Sequence, residues 1–356
     1  MSNMPTNIHN TNILYPFNFK GYPTSFNLLD SSLFKTLSTE QFRHTNWNEI
    51  PDELLMYIFL HDEPTYGKKR VQGTKKEYLR DLQGFLLYSA SLGGIKHLDP
   101  ADLLVYQDRL SEHYANTTFR KKVSVLKQFL RYIHLKKIIP SDLSIMMKNV
   151  AQPKDEQKNR DMYQHEVDAL LEYFRPRNFN MFTLLSVLVS TGMRIEELAS
   201  AEWRKAYYLP TVGFHFIDVK GKGGKVRPIL IFEDTFDTIK EFRERKGLET
   251  ELNPADESAF FPKPNGRHYN SAYLSNLFIK EINKSALPFL KYRADPITPH
   301  TCRHYYASFL TSAGSTIDAV KDALGHQSII TTQGYLWRYR QQEKHAAIVV
   351  GKRFSK

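Results

Sequence analysis

Apolar residues recur at helical spacing through most of the chain and lose that order only near its start. Between Met1 and Asn48, scattered aromatics, asparagines and turn formers such as PFNFKGYPTSFN keep no sustained helix or strand period, so residues 1–48 are expected to form an extended, partly ordered arm. From Ile50 the pattern becomes IPDELLMYIFL, and Thr74 to Ser89 then set Tyr78, Leu82, Phe85 and Leu86 on one side of an amphipathic helix. DPADLLVYQDRLSEHY predicts a helix opening on Asp99 or Pro100. NTTFRKKVSVLKQFLRYIHLKK predicts another, capped by Asn116, with Phe119, Val123, Leu126, Phe129, Leu130 and Ile133 on one face. Residues 49–150 therefore read as a small helical bundle.

The run NVAQPKDEQKNR, Asn149 to Arg160, has almost no apolar content, and an interdomain linker is expected at 151–160. Beyond it, MYQHEVDALLEYF predicts a helix and NMFTLLSVLVSTG a buried one ended by Gly192. FHFIDVKGKGGKVRPILI is the clear β signal, two short runs around a glycine-rich turn. Helices resume through Lys344, apart from loops around Pro254, Pro264 and Pro296. The expected fold is mainly α in two domains, the second mixing helices with a small antiparallel sheet over residues 161–340, followed by a tail at 341–356.

Composition sharpens this picture in three ways. A chain of 356 residues suits two domains, each able to bury its own core. Its formal charge of +11, from 49 Lys and Arg against 38 Asp and Glu, makes a polyanion the expected partner, although the same balance also keeps proteins soluble. The helical bundle carries Lys68, Lys69, Arg70, Lys75, Lys76 and Arg80 near its first amphipathic helix, and Arg120, Lys121, Lys122, Lys127 and Arg131 on its last. Such a stripe can follow a phosphate backbone, or it is simply a solvated lysine-rich face. The single cysteine, Cys302, excludes an internal disulfide framework and a multi-thiolate metal site, which suits a reducing interior. No segment approaches the roughly 18 apolar residues of a membrane span. The start, MSNMPTNIHN, lacks a basic stretch followed by an apolar run, so a cytoplasmic location is expected.

Four clusters carry candidate chemistry. In TGMRIEELAS a helix starts after Gly192 by presenting Arg194, with Glu197 three residues on to hold its guanidinium; alone, this is equally a surface ion pair. The turn Lys220-Gly221-Lys222-Gly223-Gly224-Lys225 lacks the GxxxxGK[ST] spacing and precedes a strand, so a P-loop is rejected. A lysine at such a hairpin tip can deliver a charge or a proton. In TPHTCRHYYASFL, His300, Arg303 and His304 can be presented together from one helix end, with Tyr306, Phe309 and Leu310 on the packed side. Histidines four apart also suggest zinc, but HExxH needs Glu where Thr301 stands, and no acidic residue is near enough in sequence to complete a ligand set. In LGHQSIITTQGYL, His326 precedes Tyr335 by nine residues, and a lone tyrosine is ordinarily a packing residue.

Taken together, the clusters resemble the tyrosine recombinase family of phage integrases, Cre-like enzymes and Xer proteins. The T-G-x-R-x-x-E-L motif falls on Thr191 to Leu198, the G-K-G-x-K turn on Lys222 with Lys225 as the less favoured lysine, and H-x-x-R-H on His300, Arg303 and His304. The L-G-H box falls on His326, and Tyr335 follows at the nucleophile's spacing. The resemblance covers about Thr74 to Tyr339 and leaves out the N-terminal arm. It departs at Cys302, where an aliphatic residue is usual, and at Tyr305; neither change removes a catalytic group.

That resemblance implies a helical, SAM-like core-binding domain over 49–150 that clamps DNA, using Lys75, Lys76, Arg80, Arg120, Lys121, Lys122 and Lys127, and a catalytic domain over 161–340. It implies catalytic roles for Arg194, Lys222, His300, Arg303 and His326, support from Glu197 and His304, and attack by Tyr335 on a DNA phosphate. The implied product is a 3′-phosphotyrosine linkage formed without metal, nucleotide or other cofactor. Exchange between two duplexes implies a homo-tetramer on double-stranded recombination sites, with Trp337, Ile348, Val349 and Val350 after Tyr335 available to dock on a neighbour; accessory proteins are not specified. The arm and total length favour integration and excision of a mobile element over chromosome or plasmid dimer resolution. A type IB topoisomerase and a catalytically silent DNA-binding module are the competing readings.

Overall fold

The computed structural model describes residues 14–16, 25–27, 29–31, 50–62, 70–150, 162–221 and 224–326. The chain divides into two compact units, Met1–Glu156 and Gln157–Lys356, at a point inside the apolar-poor stretch from Asn149 to Arg160.

In the first unit, β1 (Leu14–Pro16) pairs antiparallel with β2 (Ser25–Asn27), Tyr15 opposite Phe26, a short ladder in a stretch whose sequence shows no strand period. Leu29 is buried with the helices. The carbonyls of Leu29 and Asp30 accept hydrogen bonds from Gln72 Nε2 at 3.2 Å and the Tyr57 hydroxyl at 2.9 Å. The core of this unit therefore begins ahead of residue 49.

Among the described residues, four α-helices build it: α1 (Asp52–His61), α2 (Gln72–Ala90), α3 (Pro100–His113) and α4 (Asn116–Leu135). Leu54 to Leu60 of α1 are all buried, as expected of a helix apolar on every side. Helix α3 opens on a reciprocal cap: Asp99 accepts from the Asp102 N–H at 2.9 Å, and Asp102 accepts from the Asp99 N–H at 3.0 Å. Helix α4 departs from the sequence expectation. Asn116 is its first helical residue, the cap position belongs to Ala115, and no side chain caps the first turn. Its apolar face otherwise follows the spacing, with Val123, Leu126, Phe129, Leu130 and Ile133 buried and Phe119 partly so.

The second unit runs α5 (Gln164–Arg177), α6 (Phe179–Thr191), α7 (Ile195–Ser200), β3 (Ala206–Leu209), β4 (Phe214–Lys220), β5 (Val226–Ile231), α8 (Glu233–Glu244), α9 (Ser271–Lys284), α10 (Pro299–Ser312) and α11 (Ile317–Leu324). Apolar α6 is its axis and packs against α5, α8 and α10. The antiparallel sheet has the order β3-β4-β5, so the two runs seen in the sequence gain a third strand. Ile217, Val219, Ile229 and Ile231 turn its inner face to the core. No helix among the described residues is long and apolar enough to cross a membrane.

One buried cation ties the sheet side of this unit together. Arg243 of α8 has no solvent exposure, lies 4.0 Å from the Trp203 ring centroid, and donates to the carbonyls of Glu249 and Ala259 and to the side chains of Asp256 and Ser258. Replacing it would strand a carboxylate and two carbonyls. Arg243→Met is expected to lower the unfolding free energy by about 3–5 kcal/mol in urea titration, and a loss under about 1 kcal/mol would show that this clamp is not structural.

Candidate active site

The site is organised by the ends of two helices. Helix α6 stops where Gly192 takes a left-handed conformation, φ 61°. A Cβ there would come 2.3 Å from Tyr306 Cδ1 and 3.1 Å from Leu324 Cδ2, so packing as well as φ demands glycine. Two residues later Arg194 occupies the cap position of α7. Glu197, at the third helical position, accepts from the Arg194 backbone N–H at 2.9 Å and from its guanidinium Nη1 at 2.8 Å. The R-x-x-E spacing is thus a helix cap and a guanidinium clamp at once.

Glu197 is 3% exposed and has a second cation. Arg227 Nη2, from β5, lies 2.8 Å from Glu197 Oε2, and burial lowers the Arg227 pKa against the opposing pull of that carboxylate. Sequence reasoning missed Arg227. The signal was available in strand register: alternation that buries Ile229 and Ile231 places Arg227 on the same inner face.

The β4–β5 turn closes through Gly221 N–H to the Lys225 carbonyl at 2.8 Å and Gly224 N–H to the Gly221 carbonyl at 3.1 Å. A Cβ on Gly221 would lie 3.5 Å from Glu197 Oε1, so the turn leaves its strand beside the Arg194–Glu197 pair. Lys225 is exposed on it, whereas Lys222 lies outside the described residues.

Helix α10 is capped by Thr298, whose hydroxyl accepts from the Thr301 N–H at 3.3 Å. This start leaves His300 exposed on the first turn and puts Arg303, 1% exposed, and His304 inside, with the His300 and His304 rings edge to face at 4.8 Å. Arg303 donates from Nη1 to the Gly192 carbonyl at 2.6 Å and from Nη2 to the Leu324 carbonyl. Both acceptors sit at helix C-termini, where the peptide dipoles favour a cation. Tyr306 is buried as the spacing requires, but Phe309 is 42% exposed and Leu310 only partly buried, because α10 meets its neighbours mainly through its first half.

Helix α11 ends at left-handed Gly325, φ 63°, and the His326 N–H bonds the Lys321 carbonyl at 3.0 Å. A Cβ on Gly325 would fall 2.4 Å from Arg227 Nε. His326 is buried, and that burial, together with the positive fields of Arg303, Arg194 and Arg227 and the neighbouring His300, pushes its pKa down to about 3. It is a neutral imidazole at neutral pH, able to donate one N–H. Arg194, Arg227 and Arg303 therefore converge on His326, and Glu197 pairs with the first two of these guanidiniums. Tyr335 and the tail residues Trp337, Ile348, Val349 and Val350 lie outside the described residues. No group of three or more His, Cys, Asp and Glu suited to a metal ion occurs among the described residues.

In the first unit the basic stripe is less uniform than its sequence. Lys76, Arg80 and Arg131 are exposed, but Lys75 is buried with Nζ 2.9 Å from His61 Nδ1, so it faces the bundle rather than solvent. Lys121 pairs with Glu77 at 2.8 Å and Lys122 with Asp81 at 3.0 Å. Arg120 reaches the Val150 carbonyl at 3.0 Å, and Lys127 reaches the Met147 carbonyl at 3.0 Å and Asn149 Oδ1 at 2.7 Å. Arg120, Lys127 and Arg131 border a cleft of about 500 Å³ beside α4. Lys68 and Lys69 lie outside the described residues.

Comparison with known proteins bears on this geometry. The sequence model of the phage integrase family matches residues 160–342, a span that takes in every motif of the second unit. The tyrosine recombinase XerD of Vibrio cholerae serotype O1 is 27% identical over 290 residues, covering 80% of this chain and 92% of that protein. A tyrosine recombinase of Thermosipho africanus is 27% identical over 294 residues, covering 81% and 96%. Among solved structures, XerH site-specific recombinase bound to palindromic difH substrate superposes with a TM-score of 0.62 at 19% identity, covering 85% of this chain and 94% of that one. A lambda integrase dimer bound to a COC′ core site gives 0.62 at 15% identity, covering 86% and 83%. The Tn1549 transposon integrase with transposon right end DNA gives 0.53 at 18% identity, covering 75% and 90%. With its motifs inside the matched span and its fold shared with these structures, the chain belongs to the phage integrase family of tyrosine recombinases.

Proposed function

We propose that the chain cuts and rejoins DNA at specific sites through a 3′-phosphotyrosine intermediate on Tyr335, acting as a homo-tetramer on two duplexes. The observation that carries this reading is the convergence of Arg194, Arg303 and a neutral His326 at one site. In the proposed step, the Tyr335 phenolic oxygen bonds to phosphorus and the bond from phosphorus to the 5′ oxygen breaks. A phenol with pKa about 10 must lose its proton as it attacks, and His300, exposed on the first turn of α10, is the proposed acceptor. Lys222 is the proposed acid that protonates the leaving 5′ oxygen. Arg194 and Arg303 stabilise charge growing on the nonbridging oxygens, and His326 contributes its single N–H to the same phosphate. A 5′ hydroxyl from a partner strand then reverses the chemistry.

Integration and excision of a mobile element is the proposed setting, supported by the fold shared with the Tn1549 transposon integrase. Dimer resolution is the second reading, favoured by the relatives that carry the XerD name.

Three measurements test the mechanism. Wild type and Tyr335→Phe are incubated with labelled duplexes tiled across the DNA flanking the gene, then run on a denaturing protein gel. A covalent adduct is expected with wild type alone; adduct with both would move the nucleophile to another residue, Tyr339 first. Arg303→Lys keeps one charge but cannot hold the Gly192 and Leu324 carbonyls together, and its single-turnover adduct formation is expected to fall about 10²–10³-fold while DNA affinity holds. A variant as fast as wild type would remove Arg303 from the mechanism.

The third concerns pH. The folded-state pKa of His326, about 3, lies below its ordinary 6.5, so the folded protein binds fewer protons there than the unfolded chain. The associated stability is present above pH 6.5 and is lost as pH falls toward 3. The stability advantage of wild type over His326→Gln in urea titrations is therefore expected to shrink across that window. An advantage that stays constant would contradict the neutral assignment.

A further inference from the structure

Arg227 takes no part in the mechanism above, yet it is the cation on the inner face of β5. Its neighbours Val226 and Pro228 point outward, and Ile229 and Ile231 are buried on its own side. From that position the guanidinium fork joins two segments far apart in sequence. Nη2 binds Glu197 Oε2 at 2.8 Å, and Nη1 donates to the Ala323 carbonyl at 3.3 Å. Its stem lies against Gly325, where a Cβ would come 2.4 Å from Nε. The carboxylate it grips is the one that grips Arg194, and the carbonyl it grips lies three residues before His326. Across the ladder it faces Val219 of β4, the strand that runs into the turn beside Glu197.

We infer that Arg227 is a positioning residue for strand transfer, setting Arg194 through Glu197 and His326 through the C-terminal turn of α11. The inference rests on the recombinase reading. A plain buried ion pair would need only the contact with Glu197, and a lysine could supply that charge. The second contact, to a carbonyl at a helix C-terminus, needs a planar fork that satisfies two acceptors in fixed relative positions. The left-handed glycine at 325 completes the arrangement, because any side chain there would displace Arg227 and the turn leading into His326 together.

The test uses full-length Arg227→Lys and Arg227→Gln with the duplex that yields adduct from wild type. Three quantities are measured: single-turnover adduct formation at saturating DNA, affinity by gel shift, and the urea midpoint. Arg227→Lys is expected to keep a urea midpoint near that of wild type, because the charge beside Glu197 remains. Its affinity should stay within about threefold while adduct formation falls about 30-fold or more, the scale expected when catalytic groups are displaced by a fraction of an ångström to an ångström. Arg227→Gln is expected to lose both rate and stability. If Arg227→Lys cleaves at the wild-type rate, or if rate falls only in proportion to stability in both variants, Arg227 is a structural ion pair and the inference is overturned. Wild type failing to form adduct on any tiled duplex would instead overturn the recombinase reading, and the inference with it.

Discussion

The second unit depends on a carboxylate that is almost fully out of water. Glu197 is 3% exposed, and three donors converge on it: the Arg194 backbone N–H, the Arg194 guanidinium and the Arg227 guanidinium. An isolated buried carboxylate costs several kcal/mol in lost hydration, and a poor pairing does not recover it. Two guanidiniums share that one carboxylate, and Arg303 adds a further guanidinium that donates to helix-end carbonyls. The ion pairing that stabilises the fold thus gathers three guanidiniums around His326, where the proposed phosphate contact would lie. On the proposed reading, stability and reactivity draw on the same charge balance.

Arg303 shows how that balance becomes geometry. Its acceptors, Gly192 and Leu324, stand at the C-terminal ends of α6 and α11, elements separated by more than a hundred residues of chain. Both helices end in a left-handed glycine, and at both a Cβ would collide with a side chain of the site, Tyr306 at Gly192 and Arg227 at Gly325. Each glycine therefore meets two constraints, a backbone conformation that L side chains adopt poorly and a close approach that no side chain allows. The T-G-x-R and L-G-H patterns have a physical cause in these two positions.

What could be read from the sequence divides by the range of the forces involved. Arg194 with Glu197, and Gly325 with His326, are settled within one turn of helix, and local spacing reveals them. Arg227 meets Glu197 from 30 residues away, through a strand register that becomes visible only once the inner face of β5 is known. Strand β3 escaped for a related reason: AYYL is four residues long, exposed beyond Ala206, and defined by its pairing with β4 rather than by apolar alternation. Asn116 looked like a cap because asparagine often is one, but the chain enters α4 one residue earlier, and the helix is held by its apolar face instead.

The basic stripe of the first unit carries the same lesson into energetics. Counting lysines treats every cation as available to a phosphate, whereas the structure sorts them by what each would give up. Lys121 shares a half-exposed pair with Glu77, an interaction worth about 0–1 kcal/mol, so exchanging that carboxylate for a DNA phosphate is nearly neutral. Lys122 is bound to Asp81, whose side chain is 4% exposed, and withdrawing it would leave a buried carboxylate without its cation. Lys75 is buried against His61. On the proposed reading, phosphate contact in this unit falls to Lys76, Arg80, Lys121 and Arg131, whose charges already face water, while Lys75 and Lys122 hold the helices that present them. The salt dependence of DNA binding should then reflect fewer cations than the sequence contains, because only counterions displaced by solvent-facing charges enter that slope.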